Sequence, residues 1–333
     1  MNVVFVCKAP RGSRLGNRIT ALRWKKLVEE LGHRVVITSS LPRGPYDVLV
    51  ALHARLAAGA VAWSRATHAS RPIVVALTGT DLYRDIHHDV AAKESLALAD
   101  RLIVLHERAP LDVPRPFRNK TRVIRQSAPS PPRQTRGDAK ERDAFEVAFV
   151  AHLRAEKDPM RVAAAVRLLP ASSRVRVRHV GRALSEELDA QATEETKTNP
   201  RYAWLGEVSP ARARRLIARS HVLVLTSIME GGANVLGEAI VAGTPPITSR
   251  IPAAVAALGE TYPGFFPAGD TRALARILSR AEREPAFLAE LRRQTRARRH
   301  LFTAKAERSA WRSLLAELTP SAGARRGGPH PIR

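Results

Sequence analysis

The chain has 333 residues, 44% of them hydrophobic and 5% aromatic, and a formal net charge of +24 at pH 7. That length accommodates two domains with real cores, and no stretch nears the ~18 continuous apolar residues of a membrane-spanning helix. A single cysteine excludes an internal disulfide, and the chain enters a strand at Asn2 with no targeting pattern, so a cytoplasmic protein is expected. The charge raises nucleic acid or an anionic membrane as a partner. Yet the cations are mostly arginine, spread along the whole chain, with no nucleic-acid-binding module and no amphipathic membrane-docking stretch. Neither a specific nucleic acid nor a membrane is therefore expected, and a small anionic substrate needs only a few of these charges placed locally.

The first half alternates short apolar runs with helical patterns. Asn2–Cys7, His33–Ser39, Asp47–Leu52, Pro72–Leu77 and Arg101–His106 read as buried strands, and Arg122–Gln126 as an edge strand. Helical patterns over Arg18–Leu31 and Ala54–His68 lie between them, and such alternation predicts an α/β fold with parallel sheets. Ligands of such sheets collect at the carboxyl ends of the strands. The loop after the first strand carries Lys8, Arg11, Gly12, Ser13, Arg14, Gly16, Asn17 and Arg18. Its glycines permit tight backbone, Asn17 is placed to cap the next helix, and its cations suit an anion; the alternative is a basic surface loop that needs glycine. It lacks both the dinucleotide and the nucleotide-triphosphate glycine patterns. Cys7 reads as a small core residue. His53 and His106, at strand ends, read more simply as structural than as catalytic, and His87, His88 and Asp89 as loop surface without further metal ligands.

Prolines and charges without apolar periodicity mark a linker from 129 to 143. A second alternating half follows, with strands near Phe145–His152, Arg174–Val180, Tyr202–Leu205, His221–Thr226 and Pro246–Ser249. Helices are expected near Pro159–Leu169, Ser185–Thr198 and Pro210–Arg219, and at Thr271–Glu284, Pro285–His300 and Thr303–Leu318. The strand His221–Thr226 leads into Glu230, Gly231, Gly232, Ala233 and Asn234, then a helix from about Val235 to Ala242 closed by Gly243 and Pro245. Asn234 is expected to cap that helix, whose free amides favour an anion. Glu238, on the face of Asn234, looks back toward the helix start and suits hydroxyls beside a phosphate, such as those of a ribose.

Glu230 and Glu238, seven residues apart and followed by Ala-Ile-Val-Ala-Gly-Thr-Pro, resemble the E-x7-E motif of retaining GT-B glycosyltransferases. The resemblance implies two Rossmann-like domains facing across a cleft, Glu230 by the donor sugar, the Gly231–Val235 turn on the diphosphate and Glu238 on the ribose. The segment His152–Lys157 is similar to the family's diphosphate-gripping Gly-Arg-Leu-x-x-x-Lys, with Lys157 matching its lysine. His152 stands at the usual arginine position and Arg154 lies two residues on, so the arginine role falls to Arg154 or His152. Gly206, Glu207 and Val208 sit where the family meets the nucleotide base. Thr78 stands where many members carry a histidine near the reacting carbon. No Asp-x-Asp metal motif occurs in the chain, and no metal or other cofactor is expected. The resemblance implies an acceptor domain over 1–128, a nucleotide-sugar domain over 144–300 beyond the linker 129–143, and a helix over 301–318 crossing back to the first domain; composition predicts a disordered tail over 319–333.

Six segments narrow the resemblance: Gly12–Trp24, Leu49–Ala54, Val75–Asp85, Ala99–Leu105, His152–Pro159 and Ser227–Val235. Together they resemble the selenosugar synthase family of selenoneine biosynthesis across nearly all of Met1 to Leu318. That family joins the sugar of UDP-N-acetylglucosamine or UDP-glucose to selenophosphate through a carbon–selenium bond and releases UDP. The resemblance implies an acceptor site from the basic loop (Gly12, Ser13, Arg14, Gly16, Asn17, Arg18) and from Thr78, Gly79, Thr80 and Asp81. A selenium nucleophile is already deprotonated at neutral pH and needs no general base, which is consistent with Thr78. A GT-B enzyme acting on a hydroxyl acceptor shares the donor motifs, and a basic nucleic-acid-binding protein accounts for the charge but leaves Glu230, Glu238 and Lys157 without purpose.

Overall fold

In the computed structural model, residues 1–130 and 143–319 are described. The expected linker over 129–143 and tail over 319–333 lie almost entirely outside them. Two six-stranded parallel sheets form the frame. The first comprises β1 (Asn2–Cys7), β2 (Arg34–Thr38), β3 (Val48–Leu52), β4 (Ile73–Ala76), β5 (Arg101–Val104) and β6 (Thr121–Val123), in the order β2-β1-β3-β4-β5-β6. The second comprises β7 (Phe145–Val150), β8 (Val175–Val180), β9 (Tyr202–Trp204), β10 (Val222–Leu225), β11 (Pro246–Ser249) and β12 (Phe265–Phe266), in the order β12-β11-β10-β7-β8-β9. The central strands are buried along their whole length, as β3 and β10 are, which is why they read as unbroken apolar runs rather than alternating ones.

On the first sheet pack α1 (Gly16–Glu29), α2 (Ala58–Thr67), the one-turn α3 (Ile86–His88) and α4 (Val90–Leu98). A π-helical turn over Asp81–Asp85 precedes α3. The second sheet carries α5 (Arg161–Arg167), α6 (Glu186–Thr198), α7 (Pro210–Arg219), α8 (Asn234–Ala242), α9 (Pro252–Leu258), α10 (Thr271–Arg283) and α11 (Pro285–Ala297). The last described helix, α12 (Ala304–Leu318), leaves the second sheet and packs on the first. Its Trp311 is fully buried against Trp24 and Phe5, with ring centroids 5.0 and 5.8 Å away. The chain is therefore pinned twice between its halves, once through the segment after β6 and once through α12. Among the described residues no helix is long and apolar enough to cross a membrane.

Candidate active site

The carboxyl end of β10 is tied to the turn after β7. Thr226 Oγ1 donates to the carbonyls of Lys157 at 2.7 Å and Asp158 at 2.9 Å, and Ile228 N–H donates to Glu156 O at 3.0 Å. Asp158 takes a left-handed φ of 44° to let the chain turn there. These bonds bring Lys157 onto Glu230, from which it is 73 residues distant in sequence. Glu230 is buried, and its Oε1 accepts from Lys157 Nζ and, at 2.6 Å, from Ser227 Oγ. Its Oε2 has no partner among the described residues. One edge of this carboxylate is thus fixed by protein, and the other is left for a ligand.

Gly231 and Gly232 follow, and their lack of a side chain is required by the opposite half of the molecule. A Cβ on Gly231 would lie 2.1 Å from Thr78 O, and one on Gly232 would lie 2.5 Å from Gln126 Oε1. The helix α8 begins at Asn234, one residue earlier than the sequence suggests, with Ala233 in the cap position at φ 41° and no side-chain cap. Asn234 therefore does not cap it. Its Oδ1 instead accepts from Arg23 Nη1 of α1 at 3.0 Å. The Asn234 and Val235 amides meet no acceptor among the described residues, so the positive end of α8 is open. One turn in, burial pushes the Glu238 carboxyl up to about 7, with Arg214 and Arg23 pulling the other way. Arg214 Nη1 stands 3.9 Å from Glu238 Oε1.

The loop before α1 also meets the second half. Helix α1 starts at Gly16 from an extended Leu15, whose carbonyl accepts from Arg18 and Ile19. Asn17 thus lies inside the first turn and does not cap it, a second correction. Arg14 Nη1 crosses to Val208 O at 2.8 Å, and Arg14 O meets His152 Nε2 at 3.3 Å. The segments Gly12–Arg18, Gly206–Val208 and His152–Lys157 are thereby brought together. His152 Nδ1 accepts from Arg182 N–H at 3.0 Å, so both ring nitrogens are spent on backbone. Among the described residues the half-exposed Arg154 guanidinium has only Glu156 at 3.9 Å, which leaves Arg154 the freer cation of the two. Ser13 Oγ, Arg18 Nε, Arg23 Nη2 and Arg214 Nε are buried polar atoms without hydrogen-bond partners. Such orphaned donors on the loop before α1, on α1 itself and on α7 fit an anionic ligand.

The Thr78–Asp81 loop after β4 borders the glycine turn. Its Asp81 is fully buried and accepts from the amides of Ala54 (3.0 Å), Thr78 (2.8 Å) and Gly79 (2.9 Å). Its carboxylate is therefore consumed in holding the loop, while Thr78 and Gly79 make the approach to Gly231. Thr80 Oγ1 meets His53 Nε2 at 3.0 Å, and His53 itself takes a φ of 84°. Sequence reasoning did not anticipate Arg23, Ser227 or Glu307. Buried Glu307 of α12 accepts from Trp24 Nε1 (2.7 Å), Arg23 Nε (3.2 Å), Ser127 N (2.8 Å) and Ser127 Oγ (2.5 Å). These partners lie far apart in sequence, and only a buried acidic residue on an otherwise apolar helix face could have hinted at them.

The two six-stranded parallel sheets with their helices give the GT-B fold. Residues 133–298 match the family described as glycosyl transferases group 1, and this segment carries the E-x7-E stretch. Among solved structures, Alr3699/HepE of Anabaena in complex with UDP and glucose is similar at 18% identity and a TM-score of 0.74, covering 95% of this chain and 100% of that one. A sucrose-phosphate synthase from Thermosynechococcus elongatus is similar at 16% identity and a TM-score of 0.75, covering 95% and 98%. A glycosyltransferase from Rickettsia africae is similar at 12% identity and a TM-score of 0.70, covering 96% and 99%. No curated protein matches the sequence.

Proposed function

We propose that the protein transfers the sugar of a UDP-sugar, UDP-N-acetylglucosamine or UDP-glucose, to selenophosphate. The reading is supported above all by Glu230, held on one edge by Lys157 and Ser227 with its other oxygen free, beside the open end of α8. The relatives of like fold whose structures hold UDP or UDP-glucose agree with the donor class. The Asn234 and Val235 amides, Lys157 and Arg154 are assigned to the diphosphate, whose charge grows as the sugar leaves. Glu238 is assigned to the ribose, and Gly206–Val208 to the base. The orphaned donors of Ser13 and Arg18 suit the phosphoryl oxygens of the acceptor. Selenium of selenophosphate then bonds the anomeric carbon as its bond to the UDP oxygen breaks; water later takes the phosphoryl group, leaving a selenosugar. No metal takes part in this assignment.

The test is incubation with UDP-sugars and selenophosphate, followed by mass spectrometry for the selenium isotope pattern on a hexose or N-acetylhexosamine. UDP release with a selenium-bearing sugar is expected. UDP release that depends instead on a hydroxyl compound would overturn the acceptor assignment while keeping the donor one.

A further inference from the structure

We infer that Tyr83 donates a hydrogen bond to a hydroxyl of the transferred sugar beside Glu230, and that His106 aims it. The inference rests on the reading of this cleft as a UDP-sugar site. His106 is 2% exposed, and its Nδ1 faces the amide of Ala109 at 3.1 Å. An N–H pointing at Nδ1 requires a bare nitrogen there, so the ring proton sits on Nε2. Burial, with Arg125 and Arg108 nearby, pushes the imidazole down to about 4, and the ring is neutral at working pH. Nε2 lies 2.8 Å from Tyr83 Oη. The imidazole therefore donates and the phenol oxygen accepts, which forces the phenol proton to point elsewhere. Among the described residues no acceptor meets it.

The position of Tyr83 says where that proton goes. It stands on the π-helical turn Asp81–Asp85, with its amide bonded to Gly79 O at 3.1 Å. Gly79 lies against Gly231, the residue next to Glu230. Burial raises the phenol pKa, as do the negative charges of Asp112 and Glu230, so Tyr83 remains a proton donor. Among the described residues no hydrogen bond joins Tyr83 to Glu230, yet the Glu230 charge reaches the phenol and each carries an unused polar atom, a phenol proton and Oε2. A group that satisfies both must accept from the phenol and donate to the carboxylate. A sugar hydroxyl does both. A fully ionised phosphoryl or selenophosphate oxygen accepts only and is repelled by Glu230. The chemistry on this side of the cleft therefore selects the sugar rather than the anionic acceptor.

Tyr83→Phe removes a single oxygen and keeps the ring in place. Calorimetry with UDP and initial rates with UDP-sugar and selenophosphate separate the outcomes. The variant should bind UDP as the wild type does, keep its KM for selenophosphate, and lose about ten- to hundredfold in kcat/KM for the UDP-sugar. His106→Gln, which leaves the phenol but disturbs its aim, should show a smaller loss in the same parameter with UDP binding intact. Unchanged sugar kinetics in Tyr83→Phe would overturn the inference, as would a rise confined to the KM for selenophosphate. A wild-type protein that binds no UDP-sugar would remove the donor reading itself, and the inference with it.

Discussion

Glu238 offers the sharpest test of the donor side, because its charge changes within the range in which the enzyme can be assayed. Burial lifts its carboxyl from 4.5 to about 7 against the pull of Arg214 and Arg23. A carboxylate assigned to ribose hydroxyls must be ionised to accept from them, so UDP binds the deprotonated form and binding expels a proton. Scaling the affinity by the ionised fraction makes UDP about tenfold weaker at pH 6, and about a hundredfold weaker at pH 5, than at pH 8. The nucleotide's own phosphate titrates identically with any variant. Calorimetric titration of wild type and Glu238→Gln across this range therefore isolates the residue: the variant should lack the extra pH slope and release no extra proton. Stability runs the other way. With the folded pKa above the unfolded one, the contribution is whole below about pH 4.5 and is lost as pH rises through about 7. Its size is at most about 3 kcal/mol, discounted because the side chain is 21% exposed. Glu238→Gln should accordingly melt higher than wild type at pH 8. Equal pH slopes for UDP binding in the two proteins would refute the ribose assignment.

Three further outcomes follow from the same geometry. Lys157→Ala removes the cation from Glu230 and from the diphosphate, and Arg154→Ala the freer guanidinium beside it; each should cost about 2–4 kcal/mol in kcat/KM for the UDP-sugar, and wild-type kinetics in both would place the diphosphate elsewhere. Arg18→Ala should raise the KM for selenophosphate about tenfold or more with UDP binding intact, whereas unchanged selenophosphate kinetics would move the acceptor toward Thr78. Turnover should survive EDTA treatment and desalting, and activity restored only by a divalent ion would overturn the assignment of the diphosphate to Lys157, Arg154 and amides.

The sheets were legible because parallel strands buried on both faces leave continuous apolar runs, and most strands fall within a residue or two of their expected ends. Helix α9, Pro252–Leu258, was not, since an alanine-rich helix buried on most sides shows no polar face to give a period. Strand β12 is two residues long and has no pattern of its own. Asn17 and Asn234 misled for a different reason. Asparagine is a capping residue by local chemistry, but Arg23 claims Asn234 from another element, and the chain enters α1 two residues too early for Asn17 to serve. Motif spacing named candidate site residues, but it could not name their pairing. That Lys157 meets Glu230, or Tyr83 meets His106, is a property of which loops the two sheets bring face to face.

That facing is itself built into the polar core. Glu307 is buried on α12, the last of the described helices, yet its carboxylate is shared by Trp24 and Arg23 of α1 and by Ser127, in the segment that follows β6. Arg23 then extends one nitrogen to Asn234, at the open end of α8. A buried carboxylate with so many partners is costly to rearrange, because any partner withdrawn leaves charge unsolvated. The first half, the returning helix and the amides assigned to the diphosphate are therefore held in one register by a single acidic group. This accounts for the return of the chain to its first sheet: α12 supplies apolar cover through Trp311, and through Glu307 it holds Arg23, the residue of α1 that reaches Asn234.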